Sequence, residues 1–316
     1  MNQKNNNSKN ENEDFGRFDF VGLTPLFGGI SLVLSLVFLV YLTVNGINYG
    51  IDFRGGTEIQ VKFGQSVEID NLRKSTEGLG IGEVGIQGFG DGNEFIFRFQ
   101  GIQGKTDKET NENLSSSIAK VRTMLETQFG AQQPDIRRVD TVGPQVGAEL
   151  KRNGFLSIFY CLLVILIYVS LRFDYKYSPG AVICLIHDVI LTMGIFVLVG
   201  KEVNVSILAA ILSLIGFSLN DVIVVFDRIR ETESMYKNKS SKFIVNKAVN
   251  DMLGRTIITA GTVFTSALCL WIFSEGTVAD IAFAITIGMF FGTYSSVFVA
   301  APLMIFIEKM KFLAKA

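Results

Sequence analysis

The chain has 316 residues, of which 48% are hydrophobic and only 19% charged, with 27 Phe; an average soluble domain carries about 25% charged residues. A mean hydropathy of +0.37 excludes a wholly soluble globule, and the low charge excludes disorder beyond one short tail. With 29 Lys and Arg against 30 Asp and Glu the formal net charge is −1, so there is no general basic footprint for nucleic acid.

In chain order, residues 1–25 open as a polar, Asn-rich tail with no small-residue cleavage site after the first apolar run, which therefore reads as an uncleaved anchor. Six runs, at 26–44, 154–171, 179–199, 205–226, 256–273 and 278–307, approach or exceed the roughly 20 residues of helix that cross a hydrocarbon core. Residues 45–152, between the first two, are long enough to be a domain. Alternation predicts strands at Glu58 to Phe63 and Glu94 to Phe99, with weaker ones at Glu83 to Phe89 and Asp135 to Thr141. Helical patterns run from Glu68 to Leu79 and from Asp107 to Phe129, the second opened by Thr106 and Glu109 at capping-box spacing and closed by Gly130. The order β-α-β-β-α-β is ferredoxin-like. No nucleophile, acid–base pair or metal cluster stands out in this domain, so docking or binding is its expected role. The cysteines, Cys161, Cys184 and Cys269, all lie in apolar runs, and neither a metal nor a cofactor is expected.

Orientation follows from Lys and Arg, which are retained on the cytoplasmic side. A basic loop at 227–255 (Arg228, Arg230, Lys237, Lys239, Lys242, Lys247, Arg255) and a C-terminus with Lys309, Lys311 and Lys315 contrast with a lone Lys201 between runs three and four. Both termini are therefore expected in the cytoplasm and the domain at 45–152 outside it. The expectation is a polytopic α-helical membrane protein with six transmembrane helices, helices 2–6 within 153–316, and one extracytoplasmic α+β domain.

Ionisable groups inside spans are costly and are default candidates for function. His187 and Asp188 fall mid-run in the third span, and Asn220 and Asp221 toward the cytoplasmic end of the fourth. Arg255 stands at the cytoplasmic mouth of run five and Asp280 at the outer mouth of run six. If these helices share one interior, the groups are staggered across the bilayer, as a proton path requires. Simpler readings exist: His187 as a core hydrogen-bonding residue, Asp221 as a surface carboxylate if its run ends early, Arg255 and Asp280 as anchors or caps. Asp188 is the hardest to place at an interface, and at its depth a carboxylate must be paired or carry a proton. Gly288, Gly292, Ser296 and Ala300 form a small-residue stripe for close helix packing, within the chain or with another subunit. Gly55 and Gly56 follow no P-loop spacing.

Several segments carry a resemblance that spacing alone does not supply. They read YGIDFRGGT (Tyr49 to Thr57, with Gly50, Asp52, Phe53, Gly55 and Gly56), GPQVGAEL (Gly143 to Leu150), LRFDYKYSPGAVICLIHD (Leu171 to Asp188), GFSLNDVIVVFDRIRE (Gly216 to Glu231), GRTIITAGT (Gly254 to Thr262) and GTYSSVFVAAPL (Gly292 to Leu303). The set resembles the SecF subunits of bacterial SecDF protein-export complexes, in the resistance-nodulation-division superfamily, over nearly the whole chain. The resemblance implies a non-enzymatic subunit of the cytoplasmic (inner) membrane. Such a subunit works with SecD, the SecYEG channel and YajC on a translocating unfolded polypeptide, using the proton-motive force in late-stage export. It further implies proton-transport roles for Asp221 and Arg255, a third for Asp280, and a family HD pair in His187 and Asp188. One departure is that Gly22 to Thr24 is uncharged where the family carries basic residues. Two other classes compete. One is a half-transporter of the same superfamily exporting a lipid or small solute. The other is an intramembrane aspartyl protease, disfavoured because no apolar run carries a GxGD motif, the GFGD at 88–91 lying in the domain between the first two runs, and because HExxH and GxSxG are absent.

Overall fold

A computed structural model describes residues 16–89, 92–100, 104, 106–173 and 177–307. The expectations for the 1–14 tail and for Lys309, Lys311 and Lys315 fall outside these residues. Six helices are long and apolar enough to cross a membrane: α1 (Phe20–Asn45), α5 (Pro144–Arg172), α6 (Ser178–Leu198), α7 (Val205–Met235), α8 (Ser241–Phe273) and α9 (Gly276–Ser295), which continues through a π-helical turn, Ser296–Ala300, to Ile307. The chain is therefore a multi-pass membrane protein.

Helix termini follow local chemistry. Asp19, Asn204 and Ser240 cap α1, α7 and α8 by accepting from Gly22 N, Ile207 N and Phe243 N. Pro144 and Pro179 occupy the first turns of α5 and α6, where a missing N–H costs nothing. Three spans extend well past their apolar runs, and α5, beginning at Pro144, takes up the last residues of the 45–152 stretch expected as the domain. Residues 227–255, expected as a basic loop, are mostly helix: α7 continues to Met235 and α8 begins at Ser241. Hydropathy marks only the portion in hydrocarbon and is blind to polar helix beyond it.

The centre of the bundle is α6, whose most apolar window is 56% buried, against 6% for α1 at the edge. Its core joins Cys184 and Leu185 of α6, Leu214, Val222 and Phe226 of α7 and Met289 of α9.

Between α1 and α5 lie the short helix α2 (Ile51–Arg54), strand β1 (Gly56–Phe63), α3 (Ile69–Glu77), β2 (Val84–Phe89), β3 (Glu94–Phe99), α4 (Asp107–Gln128) and β4 (Pro134–Val142). The β-α-β-β-α-β order expected from alternation is thus the order found. The sheet runs β2-β3-β1-β4 with every neighbouring pair antiparallel, as two interleaved split β-α-β units give. Ile59, Val61 and Phe63 of β1 and Phe95, Phe97 and Phe99 of β3 alternate onto one face and meet Leu72 of α3 and Val121 and Leu125 of α4.

This domain sits on one end of the bundle, termed the domain side; described residues of both chain ends lie toward the other. Seating depends on the GIDFRGG segment. Asp52 Oδ2 accepts from Val205 N at 3.0 Å, and Gly50 N donates to Val203 O at 2.9 Å, tying the segment to the start of α7. Phe53 is buried against Phe196, Ile207 and Phe283. At Gly56, with φ of +140°, a Cβ would lie 2.7 Å from Phe99 O, and at Gly55, with φ of +76°, 2.7 Å from Pro144 Cα. Both positions require glycine for conformation and for space. Arg98 of β3 bridges Glu58 of its own sheet and Glu202 before α7, at 2.7 and 3.2 Å.

Candidate functional site

Asp188 occupies the eleventh of 21 positions in α6, roughly 15 Å from either end at 1.5 Å per residue. Burial there obliges every polar atom to find a partner. His187 Nδ1 lies 2.9 Å from Asp188 Oδ1, and Ser218 of α7 donates to Asp188 Oδ2 at 2.5 Å. Ser31 of α1 meets His187 Nε2. One hydrogen arrangement satisfies all of these: Ser31 donates to Nε2, Nδ1–H donates to the carboxylate, and Ser218 donates to its other oxygen. Four residues from three helices form this chain, none more than 7% exposed. Adding a proton at Nε2 requires the Ser31 hydroxyl to turn and accept, so the chain has two internally consistent states that differ by one proton.

The site is closed by small residues. A Cβ at Gly292 of α9 would lie 3.3 Å from Ser218 Cβ and 3.6 Å from Asp188 Oδ2. Nearby, Cys184 donates to Ser295 Oγ at 3.1 Å, and Tyr294 donates to Phe27 O at 2.5 Å, beside Ser31. The π-helical turn begins at Ser296, and such turns recur at functional sites.

Asp221 lies one helical turn after Ser218 on α7 and is 7% exposed. Its Oδ2 has no hydrogen-bond partner among the described residues. A buried carboxylate in that condition must take up a proton or recruit a polar group from outside the chain.

The remaining candidates are distributed differently. Asn220, though adjacent to Asp221, is exposed on the outer face of α7. Arg255 is likewise exposed on α8, in line with Thr259, Thr262 and Ser266. These hydroxyls bond back to Arg255 O, Thr259 O and Thr262 O at 2.8 to 2.9 Å, so the row is polar yet satisfied within its own helix. Asp280 is ion-paired with Lys201 at the domain side, apart from the buried set. Gly288 and Gly292 pack inside the chain, against Leu214 and Ser218, and Ser296 is buried. Of the two settings expected for this stripe, within the chain or with another subunit, these contacts are the first. Ser31 escaped the sequence reading because a lone serine in an apolar run has no distinguishing pattern. Asp19 was missed too. Its Oδ1 accepts from Asn246 at 2.7 Å and its Oδ2 meets Lys242 at 2.8 Å, and the Lys242 hydrogen bond holds the carboxyl below its ordinary range.

Six spans, a core of linked ionisable groups and one α+β domain set on the bundle define a polytopic membrane protein with a buried polar centre. Residues 120–310 match the family model described as protein export membrane protein SecD/SecF, C-terminal, and residues 40–67 match the SecD/SecF GG motif. The protein translocase subunit SecF of Calditerrivibrio nitroreducens is 41% identical over 93% of this chain and 95% of its own, and that of Rickettsia prowazekii 35% identical over 93% and 92%. A crystal structure of SecDF, a translocon-associated membrane protein from Thermus thermophilus, aligns with a TM-score of 0.81 at 31% identity. That alignment covers 93% of this chain and 39% of the other, so the chain spans well under half of that protein. The chain belongs to the SecF family of protein-export membrane proteins.

Proposed function

We propose that this protein is a subunit of the Sec protein-translocation machinery that, with SecD, uses the proton-motive force to promote late stages of export across the cytoplasmic membrane. The observation that carries this reading is the buried chain Ser31–His187–Asp188–Ser218 with Asp221 and its unpartnered oxygen one turn away. A mid-bundle group able to exist in two protonation arrangements suits proton transfer coupled to a change in helix packing.

On this reading both termini are cytoplasmic and the domain at 45–152 faces the exit side, where the emerging chain is available to it. The exposed row of Arg255, Thr259, Thr262 and Ser266 and the outward Asn220 face SecD, whose own helices complete the path. Asp221 and Arg255 are the principal proton-pathway residues, His187 and Asp188 support them, and Asp280 serves through its pairing with Lys201. The SecYEG channel and YajC are the further partners, and the protein acts as a transport subunit with no cofactor. One elementary charge crossing 100 mV yields about 2.3 kcal/mol. Single protons therefore suit biasing the diffusion of a sliding chain better than forceful pulling.

The test is translocation into inverted vesicles holding this chain, SecD and the channel, under imposed proton or sodium gradients. Wild type should gain completed translocation with a proton gradient, and Asp221→Asn should lose that gain while assembling normally. Equal responses of the two proteins refute the role of Asp221, and a response to sodium alone refutes the choice of ion.

A further inference from the structure

A cavity of about 200 Å³ runs from the domain-side end of the bundle down α6 to Val189 and Ile190, and is lined by none of the four residues of the buried polar chain. Its walls come from Leu42 of α1, Ile158 of α5, Met193 of α6 and Leu208 of α7, with Tyr49 at the top and Phe155 at the rim. It takes no residue from α8, the helix that carries the exposed polar row. Apolar cavities of about 150 Å³ already exclude water and bind a benzene-sized guest, so this one suits a longer, flexible hydrocarbon. Phe155 is 53% exposed, and α1 and α5 both lean on α6, so the opening faces sideways into the bilayer.

One charge stands at the mouth. Lys151 Nζ lies 3.9 Å from the centroid of the Tyr49 ring, and among the described residues it has no carboxylate partner. Lys151 precedes the apolar run of α5 by about one turn, roughly 5 Å of rise, which places it at headgroup depth above a hydrocarbon slot. An ammonium without a carboxylate, fixed by an aromatic ring above a lateral apolar slot, meets the two chemical ends of one molecule. Basic pockets between spanning helices hold anionic headgroups for this reason.

We propose that this cavity is a binding site for an anionic phospholipid of the domain-side leaflet, with an acyl chain between α1, α5 and α6 and its phosphate on Lys151. Binding there fastens α1 and α5, the two helices that lead into and out of the α+β domain, to the same wall of α6. The site depends on the membrane placement of the chain and not on the proton-coupled reading, so the two fail separately.

The experiment is native mass spectrometry of the full-length protein released from nanodiscs containing phosphatidylglycerol and phosphatidylcholine in equal amounts. Wild type and Lys151→Arg should retain phosphatidylglycerol preferentially. Lys151→Gln should lose about fivefold of that preference, the worth of one lysine beside an anionic surface, and Ile158→Trp should lose the bound lipid by filling the slot. Excess inorganic phosphate should leave the lipid in place. Equal retention of the two lipids, indifference to Lys151→Gln, or displacement by free phosphate overturns the proposal. So does a photocrosslink from position 158 that lands on protein rather than on lipid. If Ile158→Trp does not fold, the Lys151 pair still decides.

Discussion

Replacing Asp188 separates shape from charge at the centre of the bundle. Asp188→Ala removes the acceptor for both His187 Nδ1–H and the Ser218 hydroxyl, at positions 7% and 2% exposed. Breaking a buried, hydrogen-bonded set in this way costs about 3–5 kcal/mol, or between roughly one hundred and several thousandfold in the folded-to-unfolded ratio. Asp188→Asn keeps the volume that Gly292 admits. Its carbonyl still accepts from His187, its amide donates to Ser218 Oγ, and the Ser218 hydrogen finds the carbonyl of Leu214 one turn back. Only charge assistance is lost, about 1 kcal/mol. The chain's single tryptophan, Trp271, packs 4.8 Å from the Phe283 ring across α8 and α9, so its fluorescence during denaturant unfolding in mixed micelles reads the bundle directly. Asn should fall close to wild type in stability and Ala far below. If Asn is as damaging as Ala, negative charge is needed for folding itself and the two-state proton argument fails; if Ala costs under about 1 kcal/mol, the hydrogen bonds are not made.

Three other outcomes follow from the packing. Gly56→Ala must place a methyl 2.7 Å from Phe99 O at φ +140°; a penalty of about 2–3 kcal/mol should appear as faster limited proteolysis of residues 56–142 while Trp271 fluorescence is unchanged. Asp52→Ala removes the acceptor for Val205 N, and Asp52→Asn restores it, so amide exchange in the first turn of α7 should accelerate in the first variant only, by about 1 kcal/mol of cap. Because the Lys242 hydrogen bond depresses the Asp19 carboxyl, its contribution is complete above the unfolded value near 4 and is lost as pH falls through the still lower folded one. Exchange at the Val21 and Gly22 amides should rise over that acid window in wild type, and Lys242→Met should weaken the dependence, leaving the smaller part held by Gly22 N and Asn246.

The sequence made the spans and the small domain legible because each obeys a short-range rule. Hydrocarbon length marks α1, α5, α6, α7, α8 and α9, and alternation at Ile59, Val61 and Phe63 or at Phe95, Phe97 and Phe99 marks the sheet. His187, Asp188 and Asp221 stood out for the same reason, since charge in hydrocarbon is rare. What stayed hidden depends on which way a helix is rotated. Asn220 and Asp221 are neighbours in sequence, yet one faces outward and the other into the core, and no count of hydropathy distinguishes them. Ser31 gained significance only from a partner 156 residues away, and the pairing of Asp280 with Lys201, 79 residues apart, was equally invisible. The polar ends of α5, α7 and α8 were invisible to hydropathy because they lie past the apolar runs.

Helix α1 raises a question of timing during synthesis. Only 6% of its most apolar window is covered by protein, and its specific partners come late: His187 for Ser31, Asn246 for Val21, and Tyr294, 267 residues beyond Phe27. At 5–20 residues per second, α1 waits in the bilayer for roughly 13 to 53 s before Tyr294 is made. For roughly the first 8 to 31 s of that interval Ser31 has no histidine, 156 residues on, and the Phe38 ring has no bare Gly194 backbone to rest on. Hydrophobicity alone must hold α1 across the membrane, which is why it is apolar on all sides while burying so little. Assembly of the bundle therefore ends at its earliest-made span, with the last helices closing over α1.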